Sequence, residues 1–210
     1  MMLISAQAFL QTSFLAVLAK GGPVMVPLLA ASVVSLTVII ERCCFWRRLH
    51  TRENATLILQ YVAAGDVEQA QKLAHASHHP VVRVLLAGLE YRQLSPGTAM
   101  AAAAQAELRR VKASLPILDT IITLAPLLGL LGTITGMISA FGIVSDTGLG
   151  QPTAITGGVA EALIATATGL LIAIMTLLPY NYFRTKVEQL TERMEEQATR
   201  LELFLCQRGA

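Results

Sequence analysis

The chain has 210 residues, of which 54% are hydrophobic and only 14% are charged, with a mean hydropathy of +0.58. An average soluble domain carries about 25% charged residues, so this composition indicates an integral membrane protein. The net charge of +2 is too small to suggest nucleic-acid binding. The three cysteines are not spaced as a framework, and they predict neither a disulfide scaffold nor a metal site.

Residues 1–20 precede the break at Gly21-Gly22-Pro23. Leu10, Phe14 and Leu18 recur at helical spacing, which predicts a short amphipathic helix on the outer membrane face. A cleaved signal peptide is the alternative, although the segment has neither a basic start nor a clear cleavage site.

The first membrane segment covers residues 21–48, and its span is predicted from Val24 to Trp46. Trp46 is typical of the membrane interface, and the arginines around it are typical of the cytoplasmic side. Glu41 and Arg42 are expected to reach out to that interface, so we give them no transport role.

Residues 49–115 contain no span and are predicted to form a helical cytoplasmic domain. Gly65 is expected to end one helix, and Asp66 to cap the next with Gln69 in the capping-box position. The segment has no nucleophile–base set and no phosphate loop, so the chain is not expected to be an enzyme. The predicted helices cover residues 54–64 and 67–76, a segment from Pro80, and residues 98–115, with a turn at Ser95-Pro96-Gly97.

The second span covers residues 116–144, with Asp119 near its cytoplasmic end. Pro126 interrupts its hydrogen-bond ladder, and the freed carbonyl must be satisfied by neighbouring groups. Small residues suggest close helix packing, which by itself would explain the glycines Gly129, Gly132 and Gly136. Thr133 places a hydroxyl at mid-membrane, inside the Gly132-x-x-x-Gly136 motif.

Residues 145–154 are predicted to form a short outer loop, and residues 155–180 the third span. Within this span the one charged residue is Glu161, and such a carboxylate normally faces a protein interior or a wet path. The alternative is that Glu161 lies at the outer headgroup level and is merely solvated. Pro179 is expected to end the span, and the second and third spans are expected to extend as long helices into the helical cytoplasmic domain.

Residues 181–210 are predicted to form a cytoplasmic amphipathic helix with near-heptad apolar spacing. Arg184–Glu188 and Glu196–Arg200 are expected to pair on its exposed side. Basic residues cluster after the first span, before the second and after the third, whereas the opposite side has only Lys20. The positive-inside rule therefore predicts three spans, an outer N-terminus and an inner C-terminus.

Three stretches resemble the MotA/TolQ/ExbB proton-channel family, most closely its ExbB branch. They are KGGPVMVPLL with Glu41-Arg42 closing the first span, LDTIITLAPLLGLLGTITGMI in the second, and VAEALIATATGLLIAI followed by PYNYF in the third. The resemblance covers nearly the whole chain and implies an all-α membrane protein of the bacterial inner membrane. It also implies a homopentamer around single-span ExbD/TolR-type subunits, with a TonB-like or Tol-Pal-like protein receiving the work.

The resemblance further implies that the proton-motive force drives the assembly, with protons and no other cofactor. Its channel glutamate corresponds to Glu161 and its pore threonines to Thr133 and Thr166. On an ideal helix Thr166 lies about 140° from Glu161, whereas Thr168 lies within about 40° of it. We therefore expect Thr166 to face the second span or a neighbouring subunit, and Thr168 to lie beneath Glu161.

These residues lead to a mechanistic hypothesis and two rivals. A carboxyl in a low-dielectric ring holds a proton more readily than in water, so Glu161 would carry protons with help from the three threonines and a partner's aspartate. In the first rival, the chain is a membrane scaffold in which Glu161 only pairs with a buried partner. The second rival, a membrane enzyme, has no motif in its favour. A TolQ-like role in envelope maintenance stays open beside TonB-dependent transport.

Overall fold

The computed structural model describes residues 21–49, 54–147 and 152–209. The described residues form seven α-helices and no strand. The predicted amphipathic helix in residues 1–20, and the alternative of a signal peptide there, lie outside this part of the chain. The helices are α1 (Met25–Leu49), α2 (Ala55–Ala64), α3 (Val67–His75), α4 (Pro80–Glu90), α5 (Pro96–Lys112), α6 (Leu115–Thr147) and α7 (Pro152–Gly209).

Three of these helices are long and apolar enough to cross a membrane, as the sequence predicted. They are α1, α6 and α7. The predicted loop at 145–154 is largely helical where it is described, because α6 continues to Thr147 and α7 begins at Pro152.

The third span continues as a helix well beyond its apolar stretch, as predicted, and Pro179 does not interrupt it. Helix α7 runs from Pro152 to Gly209 with Pro179 inside it. A proline removes one backbone donor, here the one that would bond to the carbonyl of Met175. Ending the helix in apolar surroundings would leave several backbone groups without partners, which costs more than the one bond that proline removes.

The chain divides into two compact units, each built from separate parts of the sequence. The first, here called the membrane unit, comprises the described residues up to Ile39 together with Ile117–Tyr180. Its core joins the start of α1 to α6 and α7, and its buried members are Val24, Met25, Leu28, Ile121, Ala125 and Ile172. Large apolar side chains cover much of its outside, with Ile138 and Leu178 each 67% exposed. Such a surface suits lipid or neighbouring protein rather than water.

The second unit, here called the polar unit, comprises Ile40–Pro116 and Asn181–Ala210. The predicted apolar face of α4 is confirmed, because Val81, Val84, Leu85 and Leu89 are all buried. The apolar stripe at the end of α7 is buried at Val187, Leu190, Met194 and Leu201. Both predicted exposed pairs form, at 3.1 Å for Arg184–Glu188 and 2.7 Å for Arg200–Glu196.

Local signals in the polar unit act largely as the sequence predicted. Gly65 ends α2 with a φ of 95°, a left-handed conformation that favours glycine. An Asp66 carboxylate oxygen accepts the backbone N–H of Gln69 at 3.0 Å and so caps α3. The expected turn at 95–97 is wrong by a few residues. Ser95 is the residue before α5, and Pro96 and Gly97 already belong to the helix, where proline suits the first position.

Candidate functional site

Glu161 lies in the membrane unit, in the first third of α7, and its side chain is half-buried. Among the described residues, nothing forms a hydrogen bond or ion pair with its carboxylate. Its neighbours on α7 are apolar or small, so no charge on this part of the helix neutralises it. An unpaired carboxylate in such a helix is costly unless a proton, water or a group from another chain satisfies it.

The backbone at Gly22 lies directly against this carboxylate. A Cβ atom added at Gly22 would overlap Glu161 Oε1, and it would also lie 2.6 Å from the carboxyl carbon. Gly22 has a φ of 70°, which any other residue would adopt with strain. The turn before α1 therefore covers Glu161, and only a glycine fits between them.

Thr166 faces the second span rather than the side of α7 that carries Glu161. Its hydroxyl donates to the carbonyl of Gly129 on α6 at 3.0 Å and lies 3.2 Å from the carbonyl of Ala162 on its own helix. The sequence predicts that this side chain faces either the second span or a neighbouring subunit, and in the structure it faces the second span. Thr166 thus joins α6 to α7 through a hydrogen bond.

Thr133 and Thr168 both donate within their own helices. The Thr133 hydroxyl bonds to the carbonyl of Leu130 at 2.6 Å, and that of Thr168 to the carbonyl of Ile164 at 2.8 Å. In the described part of the chain, no hydrogen bond joins Glu161 to any of the three threonines. With its proton engaged in this way, a hydroxyl can still accept a hydrogen bond from water or hydronium through its lone pairs.

A seam of small residues holds α6 against α7. A Cβ atom on Gly129 would lie 3.0 Å from the Cα of Thr166, and one on Gly136 would lie 2.8 Å from the carbonyl oxygen of Gly158. At Gly132 an added Cβ would overlap the methyl of Ala165. These glycines therefore let the two backbones approach closely, as small residues do at membrane helix contacts. Pro126 lies inside α6 without ending it.

Three members of this seam were not singled out from the sequence: Ala125, Gly158 and Gly169. An added Cβ at Gly169 would overlap the carbonyl oxygen of Ala125, and one at Gly158 would lie 2.7 Å from the carbonyl oxygen of Gly136. The sequence does contain a pattern that predicts close helix packing at these positions. Small residues occur four positions apart, at 125 and 129, 158 and 162, and 165 and 169. At Gly22 the sequence predicts only a break before the first span. Its contact with Glu161 joins residues that are far apart in the sequence, so no local pattern indicates it.

Arg42 does not reach out to the membrane interface as expected. Within the polar unit its residue is only 5% exposed, and its Nη1 donates to the carbonyl of Val111 near the end of α5 at 3.0 Å. Its Nη2 bonds to Glu41 at 2.8 Å, and the Ser114 hydroxyl bonds to the same carboxylate at 3.1 Å. A cation suits the negative end of a helix, which explains why Arg42 turns inward.

The polar unit also holds a buried carboxylate, Glu107 on α5, which is 5% exposed. Arg83 on α4 contacts Glu107 Oε1 at 2.7 Å, and Arg110 contacts the same oxygen at 3.6 Å. This carboxylate is satisfied inside the chain and ties α4 to α5. Within the described ranges, no group of three or more His, Cys, Asp or Glu side chains is arranged to hold a metal ion.

Comparison with known proteins adds an independent line of evidence. The family model described as the MotA/TolQ/ExbB proton channel family matches residues 76–196, more than half of the chain. The chain is 42% identical over 185 residues to the putative biopolymer transport protein ExbB-like 1 of Synechocystis sp., covering 84% of this chain and 71% of that protein. It is 37% identical over 193 residues to ExbB-like 3 of the same organism, covering 87% of this chain and 90% of that protein.

A Tol-Pal system protein, TolQ of Pseudomonas aeruginosa, is 31% identical over 187 residues, covering 81% of this chain and 80% of that protein. The matched region includes the lone carboxylate, the three threonines and the seam between the second and third spans. The three membrane-length helices, the carboxylate of Glu161 within one of them and these similarities all point to the same family. This chain is a multi-pass membrane protein that belongs to the MotA/TolQ/ExbB proton channel family.

Proposed function

We propose that this protein is the proton-conducting stator subunit of an inner-membrane motor, and that Glu161 carries the proton. The observation that supports this proposal most strongly is the environment of the Glu161 side chain. It is half-buried in an apolar helix, and the described part of the chain provides it with no hydrogen-bond or ion-pair partner. A group held in that way is able to exchange a proton or to meet a charge from another subunit.

Proton transfer would proceed by protonation of Glu161 from one side of the membrane and release to the other. A carboxyl of a single-span ExbD/TolR-type partner, brought close to Glu161, would couple the titration of the two groups. Thr133 and Thr168 keep lone pairs free to accept hydrogen bonds from water along this path. Thr166 would act mainly by fixing α7 to α6, because its hydroxyl bonds to Gly129 on the other helix.

Charge and family membership support the arrangement that we propose in the membrane. The excess of Lys and Arg beside the spans supports an outer N-terminus and an inner C-terminus in the bacterial inner membrane. The apolar outside of the membrane unit supports association with further copies, for which we propose a pentamer around the single-span partner.

More specifically, we propose that the protein energises TonB-dependent outer-membrane transport. This role is favoured because the relatives that are 42% and 37% identical are named ExbB-like, whereas the TolQ protein is 31% identical. A TolQ-like role in envelope maintenance is the second candidate, supported by that TolQ similarity over 81% of the chain. Siderophore uptake and detergent sensitivity, measured in the same deletion strain, would separate the two systems.

The test of the proton site is Glu161→Gln, which keeps the shape of the side chain and removes its titration. We expect uptake driven by the proton-motive force to fall to the level of cells without the protein, while the detergent-extracted complex keeps its size and its single-span partner. Normal uptake would refute the proton role. Loss of the complex together with uptake would instead favour a scaffold in which Glu161 pairs with a buried group.

A further inference from the structure

The turn before α1, here called the glycine turn, comprises Gly21, Gly22 and Pro23 and packs on α7 within the membrane unit. An added Cβ at Gly22 would overlap Glu161 Oε1, and one at Gly21 would lie 3.2 Å from Cγ2 of Ile164. Because Glu161 and Ile164 are three residues apart, they lie on the same side of α7. The glycine turn therefore follows one face of α7, with its backbone against the carboxylate.

The end of the glycine turn that leads into α1 is held in place. The backbone N–H of Met25 donates to the carbonyl of Gly22 at 3.1 Å, and that of Val26 donates to the carbonyl of Pro23 at 3.2 Å. Met25 is only 3% exposed and belongs to the core that joins α1 to α6 and α7. Helix α1 therefore fixes one end of the turn, and any movement of the turn must come from its two glycines.

These two glycines give the turn the freedom that a hinge needs. Without a Cβ atom, glycine changes φ and ψ at little steric cost, and Gly22 already has a φ of 70°. Hinges are often a few positions at the ends of helices that absorb such backbone changes. Pro23 is exposed and its ring fixes its own φ, which limits the movement to the residues before it.

We propose that the glycine turn is a gate on the outer side of Glu161, closed in the structure and opened when the carboxyl exchanges a proton with the outer solution. The inference rests on the proposed function, in which Glu161 carries the proton, and on the proposed outer position of the N-terminus. In the closed position the backbone of Gly22 occupies the space beside Glu161 Oε1 in which a water molecule would otherwise lie. A cover that opens only during exchange keeps water from the site and prevents proton leakage.

A disulfide between the glycine turn and α7 tests whether the gate must open. Gly21→Cys with Ile164→Cys brings two Cβ atoms close to the separation of about 3.5–4.5 Å that a disulfide needs, since Cγ2 of Ile164 is bonded to its Cβ. The flexible side chain of Met25 can move away from the new Cβ at position 21. The pair is introduced into a chain whose exposed cysteines are replaced with serine, namely Cys43, Cys44 and Cys206.

The full complex with its single-span partner is reconstituted in liposomes, and proton entry is measured after oxidation and again after reduction of the same sample. We expect the disulfide to lower the flux to the level of empty liposomes, and dithiothreitol to restore it. Each single-cysteine variant and the cysteine-free parent are the controls, in which oxidation should leave the flux unchanged. Equal flux before and after reduction of a fully cross-linked sample would overturn the gate. So would failure of the disulfide to form, because the turn would then not lie against α7.

Chemical labelling of Glu161 gives a readout that does not depend on proton conduction. A water-soluble carbodiimide, which adds to a protonated carboxyl group, is applied to the outer side of oriented membrane vesicles, and modified Glu161 is quantified by mass spectrometry. We expect several-fold slower labelling in the oxidised double variant than in its reduced form. Pro23→Gly frees the φ angle beside the hinge and should speed labelling relative to wild type. An unchanged rate in either comparison would overturn the gate.

The two readouts separate failure of the gate from failure of the proton role. A cysteine-free parent that assembles but conducts no protons would refute the proposed function, and the labelling rates would still decide whether the glycine turn covers Glu161 and moves. Flux in the parent that persists in the cross-linked variant would leave the proton role standing and refute the gate. If the double-cysteine variant does not assemble, the labelling rate of Pro23→Gly decides alone.

Discussion

Two carboxylates of this chain, Glu107 and Glu161, differ in what surrounds them. Glu107 in the polar unit is 5% exposed and contacts the guanidinium groups of Arg83 and Arg110. Glu161 in the membrane unit is half-buried and, among the described residues, forms neither a hydrogen bond nor an ion pair. The more buried group is thus the better satisfied one, which is the usual condition for a buried charge.

This difference distinguishes a carboxylate that holds helices together from one that is able to take part in proton transfer. A paired carboxylate such as Glu107 fixes the helices that carry its partners. A carboxylate such as Glu161, for which the described residues provide no partner, remains able to bind a proton or a group from another subunit. Burial alone would have selected Glu107 as the candidate site, whereas the partners of each group point to Glu161.

Glu107→Gln should have the largest effect on stability. The change leaves Arg83 and Arg110 without their buried partner, although both arginines retain contact with water. We expect the free energy of unfolding of the polar unit to fall by about 1–3 kcal/mol. Thermal unfolding of the purified complex would measure it. Uptake below the melting temperature should persist, and selective loss of uptake from a stable protein would contradict the structural role.

Gly136→Ala should weaken the membrane unit by a similar or smaller amount. The new methyl would lie 2.8 Å from the carbonyl oxygen of Gly158, so α6 and α7 must move apart. We expect a loss of about 1–3 kcal/mol, typical of overpacking, measured as resistance to denaturation in detergent. Gly142→Ala is the control on the same helix, because an added Cβ there meets nothing within 4 Å. Equal effects of the two substitutions would contradict close packing at the seam.

Gly22→Ala should impair Glu161 without altering its charge. The new methyl would displace the carboxylate, and the positive φ adds strain of about 1–2 kcal/mol. We expect several-fold slower proton-driven uptake from a complex of normal size. Gly157→Ala is the control near Glu161, since an added Cβ there meets nothing within 4 Å and should leave uptake unchanged. Full uptake with Gly22→Ala would show that this contact does not matter for function.

Glu68→Gln should have the smallest effect, because it breaks an exposed pair rather than a buried one. A hydrogen bond from Lys72 lowers the pKa of Glu68, and both side chains are well exposed. A carboxyl with a lowered pKa stabilises the fold above its ordinary pKa and loses that contribution as the pH falls through the lowered value. The melting temperature of the variant should match wild type at neutral pH. A loss as large as that of Glu107→Gln would contradict this ranking.

Much of the architecture could be predicted from the sequence because its signals are local. The three spans are long apolar runs, Glu161 is a lone charge within one of them, and Asp66 caps its own helix. These features depend on residues within a few turns of one another, where helix periodicity and capping rules apply directly.

The features that were missed depend on contacts between distant parts of the chain. Arg42 bonds to the carbonyl of Val111, which lies 69 positions away, so its burial could not be read from the end of the first span. Gly22 meets Glu161 only after the spans have packed.

Proton flux through the reconstituted complex tests the central claim most directly. Liposomes containing the full complex with its single-span partner are given a membrane potential, and a pH-sensitive dye inside them reports proton entry. We predict flux with the wild-type protein and with Glu107→Gln below its melting temperature, and none above that of empty liposomes with Glu161→Gln. Wild-type flux through an intact Glu161→Gln complex would contradict the assignment of Glu161 as the proton carrier.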